Sequence, residues 1–557
     1  MKKTTIFLTA IFALLFRVTP SLAEDIKREL PKEWQGLVEG SRFIDRFLPL
    51  PELGELSSDV WGLSGVKPRY PANGLEDDTW SYWGGNIHKD EHEKYHLFVC
   101  RWREDDPKGH MAWPRSEVVH AIADNPAGSY TVSNVIGPGH NPEMQKLKDG
   151  RYFLYVLQFT EFFYYLADDV NGPWQRQPFH FDSRQREIVQ HVSNNTFTKR
   201  DDGSMLMVSR GGGIWISKTG VSPYKLVSPK SIYPPYDGRY EDPVVWKTAI
   251  QYHLIVNDWL GRVAYYMRSK DGFNWILDPG AAYLPGIAKH QDGRVEDWYK
   301  FERIKVLQDQ YGRAYQANFA VNDTVKKQDL GGDKHSSKNM TIPLTVGRLI
   351  EFVSDKPIDI HTKQIQLLIK AESNFNPHTD INIQSLRFGA SEQVNFGGGS
   401  KVIHSERKGN NLLLSFNTND SGFTKRNFAG KLLGKTTQGK HLFGFVRLPW
   451  VTFELPHLSS KFPEFSLNAK RLKADIEIEN FGQTDSTVTT FTIEYKKDKH
   501  WKEFAKGTIP ALKPYEKTIV TLWGEKIQQR NTAVDVRITI KQLGQESAVL
   551  QGPTIIR

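Results

Sequence analysis

A motif pair that recurs five times between Trp80 and Val321 constrains this chain more than any other feature. Each copy opens on a short polar or acidic cluster, runs through apolar residues, turns, and returns through an aromatic-rich run. The openings are Trp83-Gly84-Gly85-Asn86-Ile87, His140-Asn141-Pro142-Glu143-Met144, Asn194-Asn195-Thr196-Phe197, Tyr240-Glu241-Asp242-Pro243-Val244 and Phe301-Glu302-Arg303-Ile304-Lys305. Turns such as Asp149-Gly150 and Asp202-Gly203 lead into the return strands. A second echo follows in four copies, each a strand, a Gly, Pro or Asp turn, and an aromatic; Phe163 to Trp174 and Ala264 to Trp275 are two of them. Four short strands per unit at a fixed period are the mark of propeller blades, which bring equivalent strand ends around one axis. The predicted fold is all-β: a five-bladed β-propeller over residues 76–352, followed by two small β-sandwich domains. A single β-sandwich with coincidental similarity is the alternative.

The chain has 557 residues, more than one core usually serves. Past the last blade the motif disappears while strand-like segments continue. Residues 357–452 read as one β-sandwich and 453–557 as an immunoglobulin-like second, with alternation over Leu472 to Ile478 and Thr487 to Tyr495. Both are expected to support the propeller rather than to bind sugar. Residues 1–23 read as a signal peptide: Lys2 and Lys3, a short apolar stretch, and Ser21-Leu22-Ala23 before the cut. Export to the periplasm or the medium is the expectation. Residues 24–75 are expected to form an arm laid along the propeller. The polar, Lys-rich stretch from Asp323 to Met340 reads as a long loop, of the mobile or functional kind. Residues 342–352 are expected to close the ring.

Composition narrows the function classes. The lone Cys100 cannot form an internal disulfide and ends an apolar strand, so burial is expected. No later segment is apolar enough to be transmembrane, so no membrane partner is expected. A formal net charge of +9 without a Lys/Arg run or a nucleic-acid motif points away from nucleic acid and toward an anionic partner such as a sulfated or uronate-rich polysaccharide. HExxH, CxxC and P-loop patterns are absent from the sequence, so neither a cofactor nor a catalytic metal is expected. A structural cation in the axial channel is compatible with the pattern.

Hairpin geometry places the starts of first strands and the ends of second strands on one face. That face gathers Trp83, Asn86, His140, Asn141, Asn195, Glu241, Asp242 and Glu302 from strand starts, with Arg210 and Asp258 from strand ends. Paired carboxylates of this kind suit acid and base work on a glycosidic bond. The candidate catalytic residues are Glu302, Asp242, Glu241 and His140. Strand alternation predicts that only one of Glu241 and Asp242 faces the axis fully. His140 reads equally as a proton donor and as a structural histidine. The candidate substrate-binding residues are Trp83 as a sugar platform, Asn86, Asn141, Asn195, Arg210 as an anion clamp, and Asp258.

With these residues in view, the segment 80–325 resembles the five-bladed propeller glycosidases of glycoside hydrolase families 43 and 117. The resemblance rests on His140-Asn141-Pro142 leading to Asp149-Gly150-Arg151-Tyr152-Phe153, on Tyr240-Glu241-Asp242-Pro243, and on Gly172-Pro173-Trp174. It implies an inverting hydrolase with an Asp base on the first blade, a second Asp that tunes a pKa, and a Glu acid. The chain departs from that pattern: the first blade reads Trp83-Gly84-Gly85, and Asn141, Asn194 and Asn195 stand where an Asp is implied. The expectation is an exported glycoside hydrolase, exo-acting on oligosaccharides of an anionic polysaccharide such as a sulfated algal one. The alternatives are a lyase that uses His140, a tyrosine and Arg210, and a non-catalytic glycan-binding propeller. Oligomeric state is not legible.

Overall fold

The computed structural model describes residues 28–557 apart from 67, 159–160, 189–191, 229, 333, 355–358, 469–470, 526, 528–530 and 543–544. The expected signal peptide lies outside the described residues. The chain is all-β, and its first part is a five-bladed propeller.

Each blade is an antiparallel meander whose first strand is innermost. The inner strands are Trp80–Lys89, His140–Lys146, Thr196–Lys199, Tyr240–Lys247 and Lys300–Gln308. They touch in sequence around the axis, and the fifth touches the first. The second strands lie between neighbouring blades and are covered on both faces. Tyr152–Gln158, Met205–Val208 and Tyr252–Asp258 are therefore near-continuously buried runs rather than alternating ones.

The fifth blade has three strands of its own, ending at Lys338–Pro343. The N-terminal arm completes it: Leu75 bridges Asn339 and Phe47 bridges Leu344. Asn73, fully buried, locks the join, since its Nδ2 donates to the Thr341 carbonyl at 3.0 Å and its Oδ1 accepts from the Thr341 amide at 2.9 Å. Residues 342–352 thus do not close the ring. Their second half, Arg348–Val353, pairs with Gln364–Ile369 and His441–Arg447 in the next sheet. Apolar alternation cannot distinguish a closing strand from one that leaves the ring. The stretch expected as a long loop ends in buried Ser336, Ser337, Lys338 and Asn339, because the arm covers them.

Beyond the ring, a seven-stranded path encloses a core of Leu367, Leu386, Phe388, Leu414 and Phe416. An eight-stranded sheet follows with its own core, including Ile476, Ile493 and Val536. Both are fastened to the propeller by buried polar contacts. Arg184 pairs with Glu479 at 3.0 Å, and Asn395 donates to Asp278 at 2.8 Å.

Asn73→Ala strands two backbone groups of Thr341 in the interior. It should lower unfolding stability by about 1–3 kcal/mol in urea titrations. A variant as stable as the parent would show that the arm does not close the fifth blade.

Candidate functional site

The inner strands share an irregularity that builds the site. In four blades the pairing register slips at the same place: between Trp83 and Asn86, His140 and Glu143, Glu241 and Val244, and Glu302 and Lys305. Inside each slip the residue at the matching place adopts left-handed backbone: Gly84 at φ 64°, Asn141 at 51°, Asp242 at 54° and Arg303 at 54°, with Gly85 at 87° beside Gly84 in the first blade. Asn194 at 47° takes the equivalent place just before the third blade's short strand. Gly, Asn and Asp are the residues that visit this region most readily. Arg303 is the exception and is held by a buried partner.

A bulge turns a side chain out of the pleat, and here the turned side chains meet. Asn141 Nδ2 donates to Asn194 Oδ1 at 2.7 Å, and Asn194 Nδ2 donates to Asp242 Oδ1 at 3.0 Å. Arg303 Nη1 donates to the same Asp242 oxygen at 2.9 Å, with both side chains almost fully buried. Asn194 Nδ2 also donates to Glu241. Glu241 and Asp242 therefore reach one amide together, against the expected alternation, because the left-handed turn at Asp242 breaks the period of two. Deeper in the channel Glu143 and Lys305 form a buried ion pair. Beyond them a polar cavity of about 260 Å³ opens at the opposite mouth.

The strand-start mouth carries the chemistry. Glu241 keeps 20% of its side chain exposed and pairs with Arg210, itself 29% exposed, at 3.3 Å. Burial, then the neighbouring Asp242 charge, pushes the Glu241 carboxyl up to about 7, with the Arg210 charge opposing. Glu302 is 3% exposed; Lys326 binds it and Lys300 stands 3.8 Å away. Burial alone would lower the Lys326 pKa, but Glu302, Glu241 and Asp242 raise it. The Lys326 ammonium also lies 4.5 Å from the centre of the Trp83 ring. Glu241, Glu302, Arg210 and Lys326 thus share one mouth.

Other expected site residues have different partners. Trp83 is 2% exposed, under Lys326 and against the edge of His110, so it offers no open face. His140 is wedged against Trp102 and Trp113, with Nδ1 at 3.0 Å from Ser116 Oγ. Burial, then the Arg303 and Lys326 charges, holds its pKa well below the ordinary value, so the ring is neutral. Asn86 spans two blades, bonded to both backbone groups of Met144 at 2.8 Å. Asn195, fully buried, donates to the Tyr155 hydroxyl at 2.9 Å. Asp258, also fully buried, accepts from Arg28 at 2.7 Å and from the Arg239 amide at 2.8 Å. Hydrogen bonds within the fold occupy the Asn86 amide, the Asp258 carboxylate and the Asn195 amide nitrogen, while Asn195 Oδ1 has no partner among the described residues. Cys100 is buried, its thiol pushed up to about 12 by burial.

Lys326 and Lys300 were not among the expected site residues. The signal for Lys326 was the Lys-rich segment between the last two propeller strands. A cavity of about 450 Å³ lies elsewhere, between the propeller and the seven-stranded sheet, lined in part by Trp246, His253, Phe443 and Phe445. Among the described residues no cluster of three His, Cys, Asp or Glu side chains is placed to hold a metal.

No protein-family model matches the chain, and no curated protein does. Solved structures that it is similar to include an α-L-arabinofuranosidase from Lactobacillus brevis, 12% identical, covering 47% of this chain and 90% of that one, with a TM-score of 0.34. A family 43 arabinoxylan arabinofuranohydrolase from Bacillus subtilis is 11% identical, covering 86% of this chain and 96% of that one, with a TM-score of 0.35. A protein of unknown function from Dyadobacter fermentans is 11% identical, covering 54% of this chain and 92% of that one, with a TM-score of 0.32. Likeness this distant carries no argument about activity, which rests on the site itself.

Proposed function

We propose that this chain is a glycoside hydrolase acting at the strand-start mouth of its propeller. The observation that carries the reading is the Glu241 carboxyl, pushed up to about 7 beside Glu302, which two lysines hold. A carboxyl that keeps its proton near neutral pH and a partner carboxylate are what glycosidic hydrolysis requires. Glu241 gives its proton to the glycosidic oxygen as the bond to the anomeric carbon breaks. Water adds its oxygen to that carbon and yields its proton to Glu302. Arg210 and Lys326, the partly exposed cations of the mouth, favour an anionic oligosaccharide. The net charge of +9 agrees with such a substrate. Residues 1–23 fit export, and the two sheet bodies after the ring fit β-sandwich domains that brace it.

Gly84 favours a second reading. With no carboxylate at that place on the first blade, the mouth could bind a glycan without cleaving it. Oligosaccharide digestion read by mass spectrometry separates the two: release of one residue with a gain of water supports hydrolysis, and binding without product supports the second reading.

Two variants should part company. Glu241→Gln keeps the shape of the site and should leave the fold intact while lowering turnover by about 10²–10⁴-fold. Asp242→Ala leaves Arg303 as an uncompensated buried charge and should cost about 3–5 kcal/mol of stability in denaturant unfolding. Equal behaviour of the two would contradict the division between acid and scaffold.

The pH dependence follows from the sign of the shift. An acid whose pKa rises from 4.5 to about 7 is active while protonated, so turnover should fall with a midpoint near pH 7 as pH rises. The same group adds stability fully below about pH 4.5 and loses that contribution as pH passes 7. Glu241→Gln should abolish this alkaline limb. A limb that persists in the variant would assign it to another group.

A further inference from the structure

The five left-handed positions form a ring in which one member has no side chain. Asn141, Asn194, Asp242 and Arg303 each send a polar group to the axis, and Gly84 sends none. Hydrogen-bond chemistry fixes how the two members beside Gly84 present themselves. The Asp242 carboxylate, also bound by Arg303, takes the Asn194 donor, so Asn194 Oδ1 must accept from Asn141 Nδ2. The Asn141 amide is thereby oriented, and its Oδ1 is left as an acceptor. On the other side Arg303 spends Nη1 on Asp242 and keeps Nε and Nη2 as donors. Asn141 Oδ1, Arg303 Nε and Arg303 Nη2 are all buried without a partner among the described residues, and the two side chains are 5% and 1% exposed.

Two of these atoms, Arg303 Nε and Asn141 Oδ1, converge on Gly84. A Cβ built there would stand 3.5 Å from Arg303 Nε and 3.5 Å from Asn141 Oδ1, so the place admits an atom in ordinary contact with both. Gly85 differs: a Cβ there would lie 2.0 Å from the Phe98 carbonyl oxygen, so its glycine is dictated by space.

We propose that the axis at Gly84 is a binding site for a single hydroxyl, which donates to Asn141 Oδ1 and accepts from the Arg303 guanidinium. A hydroxyl fits because it is donor and acceptor at once; an anion would face the Asn141 oxygen, and a cation would face Arg303. The hydroxyl belongs to water or to a sugar, and the site stands whether or not Glu241 is an acid catalyst. Satisfying two buried polar atoms makes such a group part of the structure.

The direct test is a crystal structure of the full chain. Electron density for one oxygen within hydrogen-bond distance of both Asn141 Oδ1 and Arg303 Nε is expected; an Arg303 donor bonded straight to Asn141 Oδ1 would overturn the site. A cycle of melting temperatures over Asn or Ala at position 84 and Asn or Ala at position 141 tests it independently. Gly84→Asn can make both bonds of the hydroxyl, whereas Gly84→Ala makes neither. Their separation should be several degrees with Asn141 present and should shrink in Asn141→Ala, and an unchanged separation would overturn the site. Melting temperatures with L-arabinose, D-xylose or D-galactose identify the source. Stabilisation of the parent that Gly84→Asn loses assigns the hydroxyl to the sugar; equal stabilisation of both, or of neither, assigns it to water.

Discussion

The buried contact between Asp242 and Arg303 is the interaction on which the rest of the site depends. It joins the fourth blade to the fifth and holds two residues in left-handed backbone. A buried ion pair gives little net stability against an apolar alternative, but losing one partner is costly. Its effect here is geometric. Asp242 turns out of the pleat and takes the Asn194 amide, and that amide orients Asn141 in turn. A channel that packing alone would leave undefined is thereby given a fixed set of donors and acceptors.

The same arrangement sets the character of Glu241. It sits one residue before Asp242 and shares the Asn194 donor, so it titrates beside a fixed negative charge in a buried place. Arg210 stands close enough to lower its pKa but not to cancel the other two effects. Glu302 has the opposite surroundings, with Lys326 on one oxygen and Lys300 near the other. Two carboxyls at one mouth are thus differentiated by what surrounds them rather than by residue type. The pair is assembled from adjacent blades and from the segment between the last two propeller strands.

Much of the fold was legible because blade repetition is written in turn residues and aromatic runs, which depend on local chemistry. The five openings mark the inner strands, and the hairpin turns identify the face where the strand starts gather. What the sequence concealed depends on long-range pairing. Nothing local shows that Leu75 would bridge Asn339, or that Arg348–Val353 would leave the ring for another sheet. The site was legible in part. Glu241, Arg210 and Glu302 came from the strand-end rule and do share the mouth. Asn86, Asn195 and Asp258 came from the same rule, yet Met144 and Arg28 occupy the first and last, and Tyr155 takes the Asn195 amide nitrogen. Alternation failed at Glu241 and Asp242 because a bulge is a pairing feature. The recurrence of Gly84, Asn141, Asn194 and Asp242 within the first three residues of four openings was its available trace.

The central claim is that the axial mouth keeps Glu241 protonated near neutral pH. The most direct measurement is a carboxyl titration of the full chain, by infrared difference spectroscopy or carbon NMR, with Glu241→Gln identifying the signal. A midpoint near 7 that vanishes in the variant is the result this account requires. A Glu241 signal that titrates near the ordinary value of 4.5 would contradict it, because the mouth would then hold no proton to give.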